Sequence, residues 1–312
     1  MNRLRNTARD YTQLQPASSI IWKSRLEVEK LATLGGDTAE LGRLYLSAMD
    51  RVGASEGAVE IWVQGLSWFD SLPQNEQAGS TIMREHWRSG LRSARRFVGD
   101  SAVGVQGEIL YAGVMSGWVK SVLAADVGNS SIHQELASKV VDVVVSPDWL
   151  TPARALSEVF EVVAGLDQIE DATLAPLLKS IYETWHKRSR HNAEQKVLAC
   201  LTYVSWLLNH TTGRVKAAMD VVENVKKEVE TGEAGGLEGK GGPLRRDQRF
   251  IEQERREMVA RLEEGWRTII KEVELRRAEQ GEDSDQSDES DSDDSSESSD
   301  SSEGDAEDVE ME

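Results

Sequence analysis

The side chains from which this sequence could build a reactive site are few. Its five histidines, His86, His133, His186, His191 and His210, fit neither His-Glu-x-x-His nor any other metal-ligand spacing, and each is expected in a structural or solvent-facing role. The single cysteine, Cys200, sits in the apolar run Val197-Leu198-Ala199-Cys200-Leu201. A thiol there resists ionisation and makes a poor nucleophile. One cysteine also excludes an intrachain disulfide and a four-cysteine zinc site, which points to a reducing compartment. The phosphate-binding pattern Gly-x-x-x-x-Gly-Lys-Ser/Thr is missing, and Gly239-Lys240-Gly241 imitates it only superficially. Gly-x-Ser-x-Gly is missing too. Glu27 and Glu29 cannot act as paired carboxylates, because two positions apart on a helix they diverge. Nothing converges as catalysis requires, so neither an enzyme nor a cofactor, metal or small-molecule substrate is expected.

Binding chemistry is better supplied. Arg84, Arg88, Arg92, Arg95 and Arg96 recur at helical spacing and are expected to share one face. They form the one basic stripe of the folded body and are the candidate contact for RNA or for an acidic protein segment, with plain solvated charge as the alternative. Trp87 stands among these bases. Trp22, Trp62, Trp68, Trp118 and Trp206 lie instead on apolar helical faces, which marks them for the core. A weaker basic cluster, His186 to His191, falls at a helix end, where cations also offset the helix dipole and need no ligand. Ser290 and Ser302 each have an acid three positions on, Asp293 and Asp305, the pattern an acidophilic kinase reads. Each phosphate would add about −1.5 to −2 charges.

The elements that must carry these side chains are helices. From Ser18 to about Glu230 apolar residues recur every three or four positions, as in Trp22, Leu26 and Leu31 or Ile181, Tyr182 and Trp185. The run Val140 to Val145 could pair as a strand, but Glu135 to Lys139 before it favour helix and no second strand is available. Punctuation at Gly35-Gly36-Asp37, Gly53 to Gly57, Pro73 to Gly79, Gly99 to Gly107, Gly128-Asn129, Ser146-Pro147, Gly165, His191-Asn192 and His210 to Gly213 leaves room for one helix between each pair of breaks. With 39% hydrophobic residues there is material for a core over most of this length. The expected fold is all-α, a solenoid of stacked antiparallel helical hairpins.

The segments also repeat. Ile21-Trp22-Lys23-Ser24-Arg25-Leu26 returns forty positions later as Ile61-Trp62-Val63-Gln64-Gly65-Leu66, and Trp206 opens a further hairpin. The second helix, Leu41-Gly42-Arg43-Leu44-Tyr45 to Met49, returns around Tyr182. Trp22, Tyr45, Trp62, Tyr182 and Trp206 are the expected structural residues of the repeat, a large indole filling the gap that Gly42 or Ala48 leaves on the next helix.

Trp-x-x-x-Leu-x-x-Glu on the first helix and Gly-Arg-Leu-Tyr-x-x-Ala on the second resemble the half-a-tetratricopeptide, or HAT, repeat of RNA-processing proteins. Joined to an acidic serine tail, the arrangement is most similar to the C-terminal half of the fungal U3 small nucleolar RNA-associated protein 6 family, subunits of the small-subunit processome. The likeness covers roughly residues 1 to 230 and is weakest from 100 to 150, where Gly104, Gly107, Gly113 and Gly117 depart from the pattern. It implies a non-enzymatic scaffold supporting pre-18S rRNA processing in the nucleolus, held to other protein subunits of a large complex, with RNA contacted indirectly or weakly. Similar repeats also serve messenger RNA splicing and 3′-end formation. The family carries an N-terminal segment of its own, whereas Arg3 to Gln13 here reads as a lone second helix. The chain is therefore expected to begin inside a repeat, as a piece of a longer protein or a split subunit.

Beyond the repeats, residues 231–243 read as a glycine-rich linker and residues 244–280 as a charged amphipathic helix with Ile251, Met258, Leu262, Trp266, Ile269 and Val273 on one face. That helix is expected to cap the last hairpin, with docking onto a partner protein, or an RNA-binding arm contacting phosphates through Arg245, Arg246 and Arg249, as the alternatives. Residues 281–312 are a Ser/Asp/Glu tail expected to be disordered. The net charge of −19 is concentrated there: residues 282–312 hold 16 acids and no base, leaving 39 acids against 36 bases elsewhere. Such a tail solubilises, or attracts basic proteins, and an acidic-tailed chaperone is the second class of function it suggests. No run approaches the roughly 20 apolar residues that span a bilayer, so no membrane partner is expected.

Overall fold

The computed structural model describes residues 2–32, 38–72, 83–124, 130–167, 169–190, 192–210, 214–231 and 248–281. They form twelve helices and no strand: α1 (Asn2–Leu14), α2 (Ser19–Ala32), α3 (Thr38–Val52), α4 (Ala58–Ser71), α5 (Glu85–Arg95), α6 (Val105–Leu123), α7 (Ser130–Val145), α8 (Ala153–Ala164), α9 (Asp171–Arg188), α10 (Ala193–His210), α11 (Val215–Thr231) and α12 (Gln248–Gly281). Every break between α2 and α11 falls where the glycine, proline and asparagine clusters stand. Gly53 and Gly57, for instance, take φ of 55° and 75° between α3 and α4, a backbone shape that costs a side-chain-bearing residue dearly. The valine run closes α7 as helix, with Val140, Val141 and Val144 buried on one side. Packing overrides the β-preference of these residues.

Two compact units divide the chain, Met1–Ile270 and Lys271–Glu312. The first holds α1 to α11 and the opening two-thirds of α12; the described part of the second is the end of that helix. Within the first unit α2, α4, α6, α8 and α10 stack into a row, each touching the next. Each of them also packs against the helix that follows it, which gives five hairpins, α2/α3, α4/α5, α6/α7, α8/α9 and α10/α11, with α1 laid on α2. This is the expected α-solenoid of stacked helical hairpins.

The stacking repeats residue by residue. Arg5 and Thr12 of α1 meet Glu29 and Arg25 of α2; at the same places one repeat later, Gly42 of α3 lies against Phe69 and Trp68 of α4, and Met49 lies against Gly65. The indole N–H of Trp22 donates to the Pro16 carbonyl at 2.7 Å, and that of Trp62 to the Gly53 carbonyl at 3.0 Å. Gly42 makes the gap anticipated for an indole, since a Cβ there would sit 3.0 Å from Trp68 Cζ3. The irregular stretch around α6 has its own cause. Gly113 and Gly117 press onto Val59 and Val63 of α4, where a Cβ would come within 2.3 and 2.8 Å of their methyl groups. That close crossing buries α6 on nearly every side and replaces the usual large-into-small packing with backbone contact.

The first part of α12 lies along α10 and α11. Leu262 is fully buried and Met258 nearly so, Gly265 admits the Leu201 side chain of α10, and Glu263 takes Lys226 of α11 at 2.5 Å.

Candidate partner-binding surfaces

The five arginines do not act as one stripe. Arg84 precedes α5 and donates to the Asp70 carbonyl at 2.8 Å, with its Nε 3.4 Å from the Asp70 carboxylate. Arg88 stands 3.7 Å from Glu85. Arg95 is turned inward, donating to the Trp149 carbonyl at 2.9 Å in the turn before α8. Arg92 and Arg96 are exposed and have no ion-pair partner among the described residues. Arg96, one turn beyond Arg92, lines a groove. Trp87, placed among these bases by sequence, is 1% exposed and packs inward near Gly117, so it offers no face for stacking a base.

That groove, about 430 Å³, runs between α3 and α5 with α4 as its floor. Trp62, Leu66 and Phe69 line the bottom, Met49 one wall, His86 and Arg96 the other. The His86 ring stacks on Phe69 at 5.3 Å and 12°. A second groove of about 640 Å³ occupies the equivalent place between α9 and α11 over α10. Its aromatic wall is the Tyr182–Tyr203 stack, 4.6 Å between centroids and nearly parallel, and its polar wall includes His186, Arg214, Lys227 and Glu228. Both grooves exist because the second helices α3 and α5, and α9 and α11, stand apart, whereas α7 and α9 pack together. Concave sites of this size with an apolar floor and a few polar groups suit side chains of a bound segment.

Beneath the second groove lies a buried charge cluster. Lys196 of α10 is 4% exposed and its ammonium sits 2.5 Å from Glu228 Oε2, which is also 3.3 Å from His186 Nε2. Burial holds the His186 imidazole below its ordinary range; Glu228 opposes that shift and Lys196 adds to it. A matching buried pair closes the other end of the solenoid: Glu29, the last residue of the Trp-x-x-x-Leu-x-x-Glu pattern, is 2% exposed and accepts from Arg5 Nε at 2.7 Å. Paired and hydrogen-bonded, such charges are tolerated where a lone one is not. Lys196 and Glu29 serve the junctions between helices, while His186 and Glu228 also line the wall of the second groove.

The repeat residues Trp22, Tyr45, Trp62, Tyr182 and Trp206 are all buried. Burial also pushes the Cys200 thiol up to about 12. Of the histidines, His133 is buried in α7, and His210 stacks on Trp206 with Nδ1 3.3 Å from Asp171. His191, Ser290 and Ser302 lie outside the described residues. Among the described residues no three His, Cys, Asp or Glu side chains gather as a metal site, and no helix is long and apolar enough to cross a membrane. The grooves were not legible in the sequence, because their walls come from three helices each and their existence depends on a gap between two of them.

Fold and surface together define a helical-repeat protein with open grooves between its second helices. No family model, curated protein or solved structure matches the chain.

Proposed function

We propose that this chain is a non-enzymatic helical-repeat scaffold of an RNA-processing complex, and specifically of the small-subunit processome that matures pre-18S rRNA in the nucleolus. The observation that carries the scaffold part is the repeated hairpin contact set, which ends in grooves instead of a reactive cluster. The assignment to the processome rests on the resemblance of the Trp-x-x-x-Leu-x-x-Glu and Gly-Arg-Leu-Tyr-x-x-Ala segments together with the acidic serine tail. Protein subunits are held by the helices, RNA is met indirectly or through Arg92 and Arg96, and the tail draws in basic proteins. Its phosphorylation at Ser290 and Ser302 strengthens that attraction.

Affinity purification of the tagged chain, with RNA and protein both sequenced, tests the assignment. U3 RNA and processome subunits are the expected recovery. Spliceosomal or 3′-end components would move the scaffold to messenger RNA. Recovery of histones and free ribosomal proteins alone, retained by the isolated tail, would favour the chaperone reading that the run of 16 acids suggests.

A further inference from the structure

The two grooves between second helices differ in charge. The α3/α5 groove carries one acid, Asp50, and one base, Arg96. The α9/α11 groove has three of each sign on its walls, but most of them are already engaged. Lys179 stands 3.7 Å from Glu183 on its own helix, and Glu228 is held from beneath by buried Lys196. Arg214 and Lys227 are left without an ion-pair partner among the described residues, against Asp220 alone.

The imbalance grows at one end. His186 and Glu228 meet there across the groove, and directly after His186 come Lys187, Arg188 and Arg190, all exposed and likewise without an ion pair among the described residues. With Lys227 they make four cations at this end. The C-terminus of α9 offers only about half a negative charge to offset them. Between Arg214 and Lys227, thirteen residues apart and so about 20 Å at helical rise, the lining is mainly apolar, with Leu207, Ala217 and Val221. Exposed Asn224 adds an amide that can both donate to and accept from a peptide backbone. The whole lining belongs to α9, α10 and the stretch Arg214 to Glu228, so the groove is complete within the described helices. Its rings are closed to a nucleobase: Tyr182 and Tyr203 are 9% and 6% exposed and stack on each other.

We propose that the α9/α11 groove binds an extended acidic segment of a partner protein, with acids on Arg214 at one end and on Lys227 at the other, and apolar side chains between them over Leu207 and Val221. About six residues in extended form cover the distance. Opposite charge at both ends fixes the segment's place along the groove, and the apolar floor selects polypeptide over an RNA strand, which would bring phosphates but find no ring to stack on. The inference rests on the scaffold reading, whose grooves hold protein subunits, and is independent of the processome assignment.

The probe is a fluorescein-labelled octapeptide, Asp-Asp-Leu-Gln-Leu-Asn-Glu-Glu, titrated with the full chain and followed by anisotropy. One-to-one binding with Kd below about 100 µM is expected, weakening as salt is raised. The double variant Arg214→Glu/Lys227→Glu should weaken it about tenfold or more and leave the melting temperature unchanged, because both side chains are exposed. Serine in place of both leucines of the probe should also weaken binding about tenfold. Equal binding of the serine probe would reduce the groove to bare charge attraction and overturn the proposal. Unchanged affinity in the double variant, or no binding at about 1 mM peptide, overturns it too. Octauridylate bound as tightly as the peptide would make the groove a nucleic-acid site, and peptide binding seen only after removal of residues 282–312 would give it to the chain's own acidic stretch; either result overturns it. Failure here with processome subunits still recovered by the tagged chain would move partner binding to another surface without touching the processome assignment.

Discussion

Trp22 and Trp62 each fill the junction between two helices and tie down the turn before their own helix through the indole N–H. The two tasks separate by substitution. Trp22→Ala should cost about 3 to 5 kcal/mol, as loss of a buried aromatic does. Trp22→Phe keeps most of the volume but takes the donor from the carbonyl of exposed Pro16, which water can replace, a loss of about 0.5 to 1.5 kcal/mol. Denaturant titrations of the two variants check both values, and a Trp22→Phe effect near zero would mean that the hydrogen bond contributes nothing. His186 makes a pH prediction. Because burial lowers its pKa in the fold, the unfolded chain takes up a proton first, and stability is complete above the ordinary imidazole value of 6.5 and declines as pH falls below it. Melting temperatures taken at about pH 7.5 and 5.5 should diverge more in the wild type than in His186→Gln. At this scale the spacing marked Trp22, Trp62, Trp118 and Trp206 as buried, but not Trp87, which is buried although it stands among bases, nor the half-buried state of Trp68. It did not show the acceptors of Arg84 and Arg95, because Asp70 and the Trp149 carbonyl reach α5 from other elements.

Between helices, approach distance decides the architecture. Gly113 and Gly117 let α6 lie against α4 so closely that the branched methyls of Val59 and Val63 occupy the space a side chain would need. Val59 cannot withdraw, being β-branched with restricted χ1. Gly113→Ala should therefore destabilise by about 1 to 3 kcal/mol despite the better helix propensity of alanine. Val59→Ala in the same chain should recover part of that loss, and a double-mutant cycle in chemical denaturation measures the coupling. Additive effects would mean the two helices relax apart. The glycines of α6 were legible only as a departure from the repeat. Their reason, a crossing partner two helices earlier, is tertiary and leaves no periodic mark. Helix limits, by contrast, could be read directly, because each is set by local breakers such as Gly53 and Gly57 whose backbone shape the next residues cannot avoid.

Across the whole molecule stability should follow position in the stack. Contacts run between neighbours along the row α2, α4, α6, α8 and α10, with none described between distant hairpins, so the free energy of opening at each place is set by the local helices and their interfaces. The middle is strongest, since α6 is enclosed by α4, α5, α7 and α8. The α1/α2 end exposes Leu4, Tyr11 and Ile20. Native-state hydrogen exchange should rank the amides accordingly, with greatest protection in α6 and α8 and least in α1. Truncation after Thr231 removes α12 and uncovers Leu201. Protection should then fall in α10 and α11 while α4 and α6 keep theirs. A uniform fall through every helix would show instead that the stack opens as one cooperative unit, and that its ends are coupled through more than nearest-neighbour contact.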